Sequence, residues 1–142
     1  MRGQEVLFSH NSDEWETPQD LFDELNKEFK FQVDVCATRD NYKCPLYFSP
    51  FLDGLKSDWG PFYSVWCNPP YSNIAAWAKK CSEHDGIAVM LVPARTDTKW
   101  FHEYCYNKPN VEIRFIKGRL KFSGKGSAPF PSMLVIFHGD EK

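Results

Sequence analysis

The run GIAVMLVP at residues 86–93 limits the possible folds more than any other stretch of the chain. It is almost wholly apolar and shows no polar alternation. Both faces of such a strand must be covered, as in a sheet flanked by helices on each side. No apolar run approaches the roughly 20 residues that cross a bilayer. The N-terminus MRGQEVLFSHNSDEWE also has no signal-peptide core. A soluble, cytosolic protein is expected.

The neighbouring segments agree with an α/β arrangement. WETPQDLFDELNKEF predicts a helix with Thr17 as its N-cap, Pro18 at its first position and Asp20 at capping-box spacing. Leu21, Phe22, Leu25 and Phe29 form its apolar stripe. FQVDVCA (31–37) is a short strand ending near Asp34–Cys36. Residues 38–61 contain Pro45, Pro50, Gly54 and Gly60 and predict an extended loop with room for one helical turn. FYSVWC (62–67) is a strand, SNIAAWAKKCSEH (72–84) a helix, and TDTKWFHEYCYN (96–107) a helix capped by Thr96. VEIRFIKG (111–118) is a strand that GRLKF extends or follows. SGKGSAPFP (123–131) is a flexible loop, and SMLVIFHG (132–139) is a last strand.

This order predicts a mainly parallel sheet with a C-terminal antiparallel hairpin. The 142 residues suit a single domain over 1–142, with 1–12 as a candidate flexible lead. Ligands bind such sheets at the carboxyl ends of the strands. Asp34, Asn68–Tyr71 and Pro93–Asp97 all fall there.

Asn68, Pro69, Pro70 and Tyr71 form an unusual strand exit. Two prolines fix two φ angles and remove two N–H donors, so the chain leaves the strand stiff and extended. The exocyclic nitrogen of adenine is flat because its lone pair is delocalised into the ring. The Asn68 oxygen and a carbonyl near Pro69 can each accept one of its N–H bonds and favour a pyramidal nitrogen aimed at an electrophile. Tyr71 would stack on a base taken out of its duplex. The plainer alternative is a stiff turn with Tyr71 as packing.

Aromatics, at 16 %, suit either a core or a surface for flat ligands. Five cysteines without CxxC spacing argue against a disulfide framework or a zinc site, and the four histidines lack metal-ligand spacing. Cys67 is read as packing. Residues 1–60 carry 6 Lys/Arg against 12 Asp/Glu, whereas residues 95–125 carry 8 against 3. The second stretch is either a phosphate-binding face or a solvated lysine-rich one.

DEWETP (13–18), VDVCATRDNYKCPLYF (33–48), DGLKSDWGPFYSVWCNPPYSN (53–73), LVPARTDTKWFH (91–102) and KGRLKFSGKGSAPFPSMLVIF (117–137) follow one another along the chain. Together these five ordered blocks resemble the small phage DNA N-6-adenine methyltransferase (Dam-type) family. The resemblance implies a reduced Rossmann-like fold that uses S-adenosylmethionine to methylate adenine N6 in DNA. It also implies a phage- or prophage-encoded protein of the bacterial cytoplasm.

On this resemblance Trp15, Thr17 and Pro18 lie beside the methionyl part of the cofactor, and Asp34 pairs with its ammonium. Asp58 accepts from the cofactor adenine or is a turn residue. Arg95 faces cofactor or DNA, or braces the strand end. Arg119 and Lys121 contact DNA, while Phe122 packs on the flipped base or in the core. DVCATRDN has no glycine, unlike the Gly-x-Gly loop of most methyltransferases, and Asn41 and Asp58 are the candidates left for the ribose and adenine.

Cytosine N4, RNA adenine and protein glutamine are alternative acceptors, and a non-catalytic nucleic-acid-binding module is an alternative of another class. No membrane or metal partner is expected, and homo-oligomerisation is left open.

Overall fold

The computed structural model describes residues 15–122 and 126–142. The expectation for residues 1–12 lies outside them. A five-stranded sheet has the order β1 (Val33–Asp34), β2 (Ser64–Cys67), β3 (Ile87–Pro93), β7 (Ser132–His138), β4 (Val111–Phe115). β1, β2 and β3 run parallel; β7 runs antiparallel to both β3 and β4. Four strands therefore share one direction and β7 opposes them. The expected antiparallel C-terminal part takes the form of an insertion, with β7 between β3 and β4. β5 (Lys121–Phe122) and β6 (Gly126–Ser127) make a separate two-stranded hairpin. The loop expected over 123–131 is thus strand at Gly126–Ser127, where it pairs with β5.

The pleat explains why the central strands are apolar throughout. Val65 and Cys67, Ala88, Met90 and Val92, and Met133, Val135 and Phe137 point to one face. There they meet Ile74, Trp77, Ala78 and Cys81 of helix α2 (Ile74–Glu83). Trp66, Val89, Leu91, Leu134 and Ile136 point to the other face, against Phe22, Leu25 and Phe29 of helix α1 (Gln19–Phe29). Each strand thus contributes to two cores, as the unbroken run at 86–93 requires. All five cysteines are free thiols. No helix among the described residues is long and apolar enough to cross a membrane.

Two helix starts differ from expectation. α1 begins at Gln19, so Pro18 occupies the cap position, and neither Pro18 nor Thr17 provides a side-chain cap bond. The Thr17 hydroxyl is engaged by Asn68 instead. The helical segment expected from residue 96 begins only at residue 99 and closes as a π-type turn over Phe101–Cys105. Thr98 stands at that start, its hydroxyl donating to the Arg95 carbonyl while its own carbonyl accepts from the His102 N–H. Thr96 lies too early in the chain to cap it.

Candidate active site

Because β1, β2 and β3 are parallel, Asp34, Asn68 and Pro93 reach the same edge of the sheet. Asn68 is the residue immediately after β2. Its Nδ2 donates to the Thr17 hydroxyl at 2.9 Å and to the Trp15 carbonyl. A main-chain carbonyl can only accept, so this contact determines which end of the amide is nitrogen. Oδ1 is left buried, with no partner among the described residues. An unmet buried acceptor costs about 1–3 kcal/mol, which a ligand donating there would recover.

Pro69 and Pro70 carry the chain stiffly into the short 3-10 turn Tyr71–Asn73. Tyr71 is 7 % exposed, and burial raises the pKa of its phenol, which stays protonated. Its ring lies nearly parallel to Trp15, with centroids 6.5 Å and planes 12° apart. Phe130 stands edge-on to both rings. The Tyr71 hydroxyl also lacks a partner among the described residues.

A cavity of about 740 Å³ opens beside this exit and is lined by Trp15, Thr17, Asp34, Asn68, Pro69 and Pro70 among others. It is large enough for a nucleoside-sized ligand. Asp34 is 2 % exposed, and its carboxylate accepts the backbone N–H groups of Cys36 and Lys43 at 3.3 and 3.0 Å. Burial nevertheless pushes its pKa up to about 7, against the smaller opposing pull of those two bonds. An added positive charge would restore the carboxylate.

The irregular segment 38–61 makes the outer wall. Asn41, Phe48, Ser49 and Asp53 line the cavity. Asn41 is braced through its Oδ1 by the Thr38 N–H at 2.7 Å. Asp53 has a left-handed backbone with φ 55°, and its carboxylate accepts the Leu55 N–H at 3.1 Å. Of these lining residues, sequence reasoning singles out only Asn41; the signal for the others is the long stretch without periodicity.

Asp58 is not brought to this cavity. It lines a second cavity with Trp59, Lys80 and His84, and its Oδ1 accepts the Gly60 N–H at 2.8 Å in a local turn. Pro18 does not line the cavity either; its carbonyl accepts the Phe22 N–H. Arg95 is exposed just past β3, and its charge is felt at Tyr71. Arg119 and Lys121 are exposed, while Phe122 is 2 % exposed and packs edge-on to Trp15 at 5.2 Å. Arg114, counted in the basic stretch, holds Glu28 with two bonds of 2.7 Å and Glu112 with one of 2.6 Å. Its charge is already neutralised.

Cys67 is fully buried, and burial holds its thiol far above the usual range, so it serves as packing. Among the described residues, the one grouping of possible metal-ligating atoms is His138, Asp140 and Glu141. It sits at the opposite edge of the sheet, where His138 pairs with Ile87 at the start of β3.

Residues 5–138 match the family model described as DNA N-6-adenine-methyltransferase (Dam). A DNA N-6-adenine-methyltransferase of Escherichia phage T1 is 34 % identical over 103 residues, covering 70 % of this chain and 43 % of that protein. A protein of the same description from Haemophilus phage HP1 (strain HP1c1) is 30 % identical over 139 residues, covering 89 % of this chain and 79 % of that protein. The match therefore spans less than half of the phage T1 protein.

Proposed function

The chain belongs to the DNA N-6-adenine-methyltransferase (Dam) family, and from that premise we propose that it transfers a methyl group from S-adenosylmethionine to the N6 amine of adenine in DNA. One observation carries the reading most directly. Asn68 lines a cavity of about 740 Å³ and carries a buried acceptor, Oδ1, that has no partner among the described residues. S-adenosylmethionine, when bound, supplies an electrophilic sulfonium methyl.

The chain's own residues do the rest. Asn68 Oδ1 takes one N6–H bond and the carbonyl beside Pro69 takes the other, which favours a pyramidal nitrogen with its lone pair exposed. The stiff Pro69–Pro70 exit prevents these acceptors from drifting. Tyr71 and Trp15, nearly parallel, hold the flat ring in the plane that this geometry needs. Asp34 receives the ammonium of the cofactor, and Thr17 keeps the Asn68 amide turned. The proton released from N6 passes to water.

Exposed Arg119 and Lys121 support a DNA phosphate contact, and exposed Arg95, whose charge is felt at Tyr71, is a further candidate for the DNA side. Action in the cytoplasm of a bacterial host, as a phage- or prophage-encoded protein, is part of the same proposal. So is a reduced Rossmann-like architecture, which the parallel β1–β2–β3 order supports.

The test is incubation of DNA with methyl-labelled S-adenosylmethionine and the protein, followed by digestion to nucleosides. Label in N6-methyldeoxyadenosine is expected; label in N4-methylcytosine, or none, overturns the proposal. In the same assay Asn68→Ala should lower the rate about 10²–10³-fold, the usual cost of one polar contact to the reacting group. Its cofactor affinity should be nearly that of the wild type. Retention of full turnover would remove Asn68 from the mechanism.

A further inference from the structure

We propose that Lys43 is the cationic half of a two-charge receptor for the amino-acid end of the methyl donor, with Asp34 as its anionic half. The proposal rests on the methyl-donor reading of the cavity and deepens it. An amino-acid terminus carries a positive and a negative charge, and burying either alone is costly. Asp34 answers the ammonium. The carboxylate needs an answer from the same wall.

The helix start at α1 is a poor candidate. Asp20 already accepts the Leu21 N–H there at 2.9 Å, so that helix start carries a negative charge of its own. Lys43 is the single basic residue lining the cavity among the described residues. Its side chain is only 6 % exposed. An ammonium has three N–H donors. Lys43 uses one on Gln19 Oε1 at 3.1 Å and forms an ion pair with the Glu16 carboxylate at 3.6 Å, longer than a hydrogen bond, so two N–H donors stay uncommitted. A buried cation with donors to spare is thus held beside the anionic partner.

The two halves are fixed to one another. The backbone N–H of Lys43 is bound by Asp34 Oδ2 at 3.0 Å, and the Asp34 backbone pairs with Tyr47 in a parallel bridge. The segment that delivers the lysine is therefore anchored on the strand that delivers the aspartate. A rigid pair of opposite charges suits a zwitterion and penalises a ligand lacking either charge. Lys43 is a binding residue in this account and takes no part in bond making.

The plain structural role, tying residues 38–48 to α1, is separated by the choice of ligand. S-adenosylhomocysteine has the amino-acid end, and 5′-methylthioadenosine lacks it. Calorimetry with the full chain should show Lys43→Met losing about 10–100-fold in affinity for the first, as for a charged hydrogen bond. Its affinity for the second should be unchanged. Equal losses for both ligands, or no loss for either, would overturn the proposal.

A second measurement needs no variant and decides the matter if Lys43→Met does not fold. Wild-type protein should bind decarboxylated S-adenosylhomocysteine more weakly than the parent ligand by a similar factor. Equal affinities would sink the clamp alone and leave the donor site standing. Failure of the wild type to bind any of the three ligands would sink the donor site and the clamp with it.

Discussion

Asn68 commits both amide hydrogens to partners more than fifty positions earlier in the chain, Trp15 and Thr17. The acceptor role proposed for Asn68 has its cue in the sequence, an amide at a strand end followed by two prolines, a pattern that a plain stiff turn shares. The role of Thr17 has no such cue. A threonine before a proline at a helix start has the pattern of an N-cap, and only the return of β2 to the same sheet edge reveals the competing partner. Asp34 carries a testable consequence of its surroundings. Burial raises its folded-state pKa to about 7 from the ordinary 3.8. The group therefore favours the fold while protonated, and that contribution is present below the unfolded value and lost as pH rises through the folded one. Binding of an ammonium has the opposite requirement, since it needs the ionised form. Donor affinity should therefore climb about tenfold per unit below pH 7 and level off above it. Calorimetric titrations with S-adenosylhomocysteine between about pH 5.5 and 7.5 should show this slope, and Asp34→Asn should abolish it. A flat profile in the wild type would mean that Asp34 does not meet the ligand's charge.

The segment 38–61 is recognisable from sequence as irregular and as too long to be a mere connector, yet its part in the cavity wall is hidden there. Nothing in its composition says which of its polar residues turn inward; that depends on where the segment touches β1 and α2. Gly54 marks that touch. A Cβ there would stand 2.0 Å from the Val35 carbonyl oxygen and 2.9 Å from the Trp77 ring. Gly54→Ala must push the segment off both neighbours, for an overpacking cost of about 1–3 kcal/mol. A lower melting temperature accompanied by weaker donor binding is expected. Normal melting would show that the segment yields without strain. The hairpin of β5 and β6 raises the parallel question for the basic stretch. Arg119→Ala with Lys121→Ala should flatten the salt dependence of DNA binding, by roughly 0.9 in the log–log slope for each phosphate no longer neutralised. Arg114→Ala is the control. Its guanidinium is engaged with partly exposed Glu28 and Glu112, so it should lower stability by under about 1 kcal/mol and leave the slope alone. A slope unchanged in the double variant would leave Arg119 and Lys121 outside the DNA face.

Strand identity is largely readable from apolar patterning, whereas strand order is not. SMLVIFH plainly fits a strand, but a pattern of buried residues says nothing about which neighbours cover its edges. Its place between β3 and β4 is fixed by seven aligned pairs with β3 and five with β4. The last described strand is thus an interior one. While the chain is being synthesised, β3 and β4 wait on either side of a gap until residues 132–138 exist, and the unpaired edge of IAVMLVP lies open to other chains. Polypeptides ended after residue 131 should be recovered mainly in aggregates, whereas those ended after 142 should be soluble. A soluble, cooperatively melting 1–131 product would show that β3 and β4 can close without β7. If the expectation holds, this sheet cannot close before residues 132–138 have been synthesised, and the nascent chain depends on being shielded by the ribosome or a chaperone until that interior strand emerges.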